Sequence, residues 1–177
     1  MPSQQRGKGK GGKAAAARPN PDAARGARAY VKQKAVGKGS FGTVFLVKHS
    51  KTGKELVLKE VACKGLSISA AVKQVEEIHF LKRLNHPHLI KYHASFLDEV
   101  NLAVIIIMEY VEGGDLKQKI ENRAKGGQPF AESLVLRWLV QCVSALHFCH
   151  HNLLLLHRDI KPANILLTKD SDVKLSQ

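Results

Sequence analysis

The densest group of chemistry-bearing side chains is His157-Arg158-Asp159-Ile160-Lys161-Pro162-Ala163-Asn164, set between two apolar runs. A packed turn gains nothing from Arg, Asp, Lys and Asn, which are costly to desolvate unless they act on something. An Asp two residues before a Lys suits a carboxylate that accepts a hydroxyl proton while the ammonium neutralises phosphate charge. The side-chain oxygen of Asn164 suits a hard cation such as Mg²⁺.

A second group is Gly37-Lys38-Gly39-Ser40-Phe41-Gly42. A dinucleotide-binding fingerprint requires the third glycine to open a helix, but Thr43-Val44-Phe45 continues as a strand. Two readings stay open on these residues alone. One is a glycine loop whose backbone N–H groups approach phosphate oxygens; the other is a hairpin with bulges. Lys59 ends the branched apolar run Leu56-Val57-Leu58, and a buried ammonium needs a partner. Glu77 is the first candidate and Glu76 the second.

The elements that position these groups follow from periodicity and turn chemistry. Strands are expected near 31–36, 44–47 and 56–58, joined by the glycine turn and by a second turn at Thr52-Gly53, which makes an antiparallel meander. Residues 69–84 read as a helix, stopped by Asn85-His86-Pro87. Residues 89–96 and 102–108 read as strands, the second fully buried. Asp115 is placed to cap a helix reaching about Arg123. Residues 131–150 form the longest predicted helix, with Leu134, Trp138, Leu139, Cys142, Val143 and Leu146 toward a core. Residues 165–167 and 173–175 make a last hairpin. The expected fold class is α+β: a strand-rich lobe over 29–108, then a hinge and the first part of a helical lobe over 109–177.

Composition limits the remaining possibilities. The 177 residues are 44% hydrophobic and 24% charged, a globular composition. No secretory leader and no apolar run long enough to cross a bilayer is visible. Cys63, Cys142 and Cys149 form no Cys-x-x-Cys pair, so reduced thiols in the cytoplasm or the nucleus are expected. The formal net charge of +13 is uneven. Residues 1–28 hold Arg6, Lys8, Lys10, Lys13, Arg18, Arg25 and Arg28 against Asp22 alone. That segment reads as a disordered, solvated basic tail; contact with nucleic acid, tubulin or an acidic membrane is the alternative, with nucleic acid the least expected. His147 and His151 stand four apart on a helix. No third metal ligand is apparent in the sequence, so cations near a helix C-terminus are the plain reading.

His157-Arg158-Asp159-x-Lys161-x-x-Asn164 resembles the protein-kinase catalytic loop. Gly37-x-Gly39-x-x-Gly42-x-Val44 resembles the family's glycine-rich loop, and Val57-Leu58-Lys59 its third-strand lysine. The three occur in order on the expected elements. Lys161-Pro162-Ala163-Asn164 resembles the serine/threonine version. Asn85-His86-Pro87-His88 and residues 108–116 are most similar to the NIMA-related (Nek) kinases. The resemblance covers about residues 30–176 and implies an enzyme that uses ATP and Mg²⁺ to phosphorylate protein substrates.

By that resemblance the loop Gly37, Lys38, Gly39, Ser40, Phe41 and Gly42 covers the ATP phosphates. Lys59 holds the α- and β-phosphates and pairs with Glu77. Val44, Val57 and Leu166 sandwich the adenine beside the gatekeeper-like Met108, and the backbone of Glu109 and Val111 binds its edge. Asp159 takes the substrate proton, Lys161 contacts the transferred phosphate, and Asn164 binds one Mg²⁺.

Two departures from the family qualify this. Gln177 stands where the family has the aspartate of Asp-Phe-Gly, so the chain is read as truncated, with activity expected to fall by several orders of magnitude. The alternative function is a non-catalytic nucleotide-binding or protein-docking module. The helices that cover residues 131–150 in the family are not in the sequence, so an exposed apolar patch is expected. The approach to His157, residues 152–156, is one residue longer than usual, which is expected to shift Asp159.

Overall fold

A computed structural model describes residues 26, 28–39, 42–63, 65 and 67–176, excepting the side chains of Lys38, Ile68, Gln74, Glu76, Glu77, His79 and Phe80. Most of the predicted tail, Ser40, Phe41 and Gln177 therefore lie outside the described residues.

Branched and aromatic residues set the first half as strands. β1 (Tyr30–Gly39), β2 (Gly42–His49), β3 (Glu55–Ala62), β4 (Tyr92–Asp98) and β5 (Ala103–Glu109) form one antiparallel sheet in the order β1-β2-β3-β5-β4. β5 lies inside, and its residues 103–107 are all buried. Alternate side chains serve different cores. Ile105 and Ile107 join Val47, Leu56, Leu58 and Phe96 on one face. Val104 and Ile106 meet Cys63, Ala71 and Tyr92 on the other, where α1 (Ile68–Ile78) packs. Full burial of one such aliphatic stabilises by about 2 kcal/mol.

The second half is helical. α2 (Leu116–Lys125) starts where the Asp115 carboxylate accepts a hydrogen bond from the Gln118 N–H at 2.9 Å, the predicted cap. α3 (Glu132–His147) follows, then a π-helical turn (Phe148–Asn152), a 3₁₀ turn (Pro162–Asn164) and the hairpin of β6 (Ile165–Leu167) and β7 (Val173–Leu175). Trp138, Ala145, Cys149, Leu167, Val173 and Leu175 form the core of this half. The Trp138 indole N–H donates to the Ser171 carbonyl at 2.8 Å, so it packs as expected and satisfies its polar atom.

Several expectations are corrected. The helix expected over 69–84 is α only to Ile78 and tightens to a 3₁₀ helix (His79–Arg83). The strand expected from 89 begins at Tyr92, because residues 88–90 bond to β7 instead. The helix expected to reach 150 widens into the π turn after His147. Leu139 and Val143 do not face a core: with Val135, Leu136 and Val140 they form an exposed stripe on α3. Helical period identifies an apolar face but not what lies against it. The expected exposed patch is present.

Gly113 ties the two halves. Its N–H donates to the Leu167 carbonyl at 2.9 Å, and the Leu167 N–H donates to Gly114 at 2.9 Å. A Cβ at Gly113 would lie 2.4 Å from the Leu167 oxygen and 2.7 Å from that of Thr168. Both are backbone atoms and cannot swing aside. Gly113→Ala is expected to destabilise by about 1–3 kcal/mol, read as a fall of several degrees in the calorimetric Tm. An unchanged Tm would show that this close approach is not maintained.

Candidate active site

The turn that carries Asp159, Lys161 and Asn164 folds through local constraints. Arg158 sits at φ +62°. Lys161 is extended, and Pro162 opens the 3₁₀ turn at the position where its missing N–H costs nothing. The result places the three functional groups in direct contact. Lys161 Nζ donates to Asp159 Oδ2 at 2.8 Å. Asn164 Nδ2 donates to both the Asp159 carbonyl and Oδ2, each at 2.8 Å. Both partners of that amide nitrogen accept only, so the amide orientation is fixed and Asn164 Oδ1 faces the other way. A hard-cation ligand therefore fits here: an amide oxygen beside a carboxylate. The hydrogen bonds from Lys161 and Asn164 hold the Asp159 carboxyl below the usual carboxylate range. It is ionised at neutral pH and ready to accept a proton.

The turn is tied to β7 through its continuation. The Ser176 N–H donates to the Asn164 carbonyl at 2.9 Å, and His157 Nε2 donates to the Ser176 carbonyl at 2.8 Å. With Nε2 carrying the hydrogen, His157 Nδ1 accepts from the Asp159 N–H at 3.3 Å. β7 in turn bonds to the sheet half. The Leu175 N–H donates to His88 and the Ile90 N–H to Leu175, both at 2.9 Å. The sequence names His157 within a motif but gives no hint of Ser176 or of the strand that presents it. Partners 12 to 87 residues apart leave no local pattern.

The approach to His157 runs through the π turn and Leu154, which stands at φ +53° and is 90% exposed. The Leu155 N–H then closes on the Cys149 carbonyl at 2.9 Å.

The sheet half supplies the other candidates. β1 and β2 form the glycine hairpin, with register irregularities between Lys32 and Lys34 and between Ala35 and Gly37. It is a bulged hairpin in form, which leaves the phosphate reading open. Gly42 has a positive φ of +136°, and a Cβ there would fall 1.6 Å from the Glu60 carbonyl oxygen, so no side chain fits. Gly37 has open space, its nearest atom at 3.8 Å being Val44 Cβ. Val44 pairs with Lys59 across β2 and β3, and Val57 pairs with Met108 across β3 and β5. Lys59 is half-buried, and that burial lowers its pKa. The Glu77 side chain lies outside the described residues.

At the end of β5 the Glu109 N–H is taken by the Lys91 carbonyl at 2.9 Å. Its carboxylate accepts from the Lys91 N–H at 2.7 Å and from Lys174 Nζ at 2.9 Å. Sequence reasoning did not anticipate this anchor. Leu166 in β6 pairs with Lys174 and bridges to Asp115. A cavity of about 300 Å³ is lined by Glu109, Glu112, Lys169, Asp172 and Lys174, among others, and touches neither Lys59 nor Asp159. It touches the adenine-edge candidates Glu109 and Val111 but none of the groups around Asp159. Among the described residues no helix is long and apolar enough to cross a membrane.

The sequence matches the family described as Protein kinase domain over residues 30–177. It is 41% identical over 144 residues to serine/threonine-protein kinase Nek11 of Homo sapiens, covering 80% of this chain and 22% of that protein. It is 40% identical over 146 residues to Nek1 of Mus musculus, covering 82% and 12%. It is 36% identical over 144 residues to Nek2 of Homo sapiens, covering 79% and 32%. The matched region thus spans a third or less of each relative.

Lys161 is the largest cause of the depressed Asp159 pKa. Lys161→Ala is therefore expected to move that pKa upward, toward the ordinary carboxylate range, in a ¹³C NMR titration of the side-chain carboxyl. An unmoved titration would show that the ion pair does not form in solution.

Proposed function

The chain belongs to the protein kinase family, and on that premise we propose that its site binds ATP with Mg²⁺ and transfers the γ-phosphoryl group to serine or threonine hydroxyls of proteins. The observation that carries this reading is the constellation at Asp159, where carboxylate, ammonium and amide meet within 2.8 Å. ATP supplies the phosphoryl group and Mg²⁺ the charge that shields it.

The chain's own residues do the positioning. The backbone of Gly37, Lys38, Gly39 and Gly42 lies over the phosphates, and Lys59, its proton loosened by burial, holds them. Val44, Val57 and Leu166 flank the base beside Met108. The Glu109 N–H is committed to Lys91, so Glu109 offers its carbonyl and Val111 its backbone to the adenine edge. Asp159 orients the substrate hydroxyl and accepts its proton as the oxygen bonds to phosphorus and the bond to the leaving ADP oxygen breaks. Lys161 turns from Asp159 toward the transferred phosphate, and Asn164 Oδ1 takes the metal.

The serine/threonine substrate class follows from Lys161-Pro162-Ala163-Asn164 and from the printed names of the Nek relatives. The three free cysteines support a reducing compartment, the cytoplasm, and the basic residues before Tyr30 are the segment open to an acidic cytoskeletal partner.

Equilibrium binding of a fluorescent ATP analogue to the chain is expected to require Mg²⁺ and to weaken by roughly tenfold or more in Lys59→Ala. Asp159→Asn is expected to leave that binding intact and to cut transfer to a protein hydroxyl by about a hundredfold or more. A chain that binds no nucleotide would refute the proposal. Binding without any Asp159-dependent transfer would favour a nucleotide-binding module instead.

A further inference from the structure

His147, His150 and His151 mark the exit from α3, and two of them meet. The rings of His147 and His151 have centroids 4.3 Å apart and planes inclined by 33°. Both side chains are exposed. Among the described residues no hydrogen-bond partner or ion pair engages either ring.

Their spacing along the chain allows the contact. In an α-helix, residues four apart lie on one face, offset by about 40° around the axis. His147 closes α3 and His151 lies inside the π turn that continues it, and the two rings meet there.

Two protonated imidazoles at this distance repel each other. Two neutral ones each carry one unprotonated ring nitrogen, and a centroid separation of 4.3 Å leaves the two rings close enough to share a single ion. We propose that His147 and His151 form a bidentate surface site for a borderline divalent transition-metal ion of the Cu²⁺ and Zn²⁺ class, with water completing the coordination. Imidazole nitrogen selects this class over Mg²⁺, which prefers oxygen ligands. Among the described residues no cluster of three or more His, Cys, Asp or Glu could hold a metal. The site is therefore weaker than closed structural zinc sites with four protein ligands. It is separate from the Asp159 constellation, and a bound ion would brace the helix exit from which the chain runs on to His157.

Isothermal titration of the untagged chain with Cu²⁺ and with Zn²⁺ tests this. Binding to one site is expected, tighter for Cu²⁺ than for Zn²⁺, and unaffected by excess Mg²⁺. His147→Asn and His151→Asn are each expected to weaken Cu²⁺ binding by roughly tenfold or more, while His150→Asn leaves it unchanged. Electron paramagnetic resonance of the Cu²⁺-loaded chain should show coupling to two imidazole nitrogens, reduced in either variant. Equal affinity in wild type and both variants, loss of binding in His150→Asn, or displacement by Mg²⁺ would each overturn the proposal.

Discussion

The strand β7 and the residue that follows it carry the constraint on which the site depends. Leu175 exchanges hydrogen bonds with His88 and Ile90 on the sheet side, and Ser176 bonds to His157 and Asn164 on the other. These two residues fix the catalytic turn to the segment that leads into β4. β4 pairs with β5, and β5 pairs with β3, where Ile106 stands opposite Lys59. An unbroken run of backbone hydrogen bonds connects the lysine half of the site to the aspartate half. Such bonds each contribute about 1 kcal/mol, but their direction matters more here than their sum. Around them Leu167, Val173 and Leu175 are fully or almost fully buried, so water does not compete for the strand.

Side-chain contacts reinforce the same junction. Glu109 closes the end of β5 with its carboxylate on the Lys91 N–H and the Lys174 ammonium. The Arg137 guanidinium and the Gln141 amide both hold Asp172, and the Gln141 carbonyl oxygen accepts from the Val173 N–H at 2.8 Å. The hairpin that presents Asn164 and Ser176 is thus gripped from α3 as well as from the hinge. Several of these groups are exposed, so their value lies in fixing geometry rather than in adding stability.

The approach to His157 is held less tightly than the turn it enters. It runs through the π turn and through Leu154, which stands almost fully in solvent at positive φ. That conformation costs a non-glycine residue about 1 kcal/mol. α3 carries exposed apolar surface of its own. Nothing among the described residues lies over Val135, Leu136, Leu139, Val140 and Val143, so their apolar stripe stays exposed.

Much of the molecule is legible in one dimension. The short hairpin at 165–167 and 173–175, the Asp115 cap and the buried run 103–107 of β5 follow from spacing and residue type, although Leu102, expected in the same buried run, is exposed. So does the cluster Asp159, Lys161 and Asn164, since the six residues 159–164, with a proline-opened turn among them, cannot separate. What the sequence could not supply is everything decided by partners far along the chain. That includes the hydrogen bonds of Ser176 to the catalytic turn, the capture of residues 88–90 by β7, the hold of Lys91 and Lys174 on Glu109, and the exposure of Leu139 and Val143. Local pattern reports which face of an element is apolar and which groups are reactive. Only the packed structure decides which surfaces meet, because that depends on the simultaneous satisfaction of backbone groups that are distant in sequence.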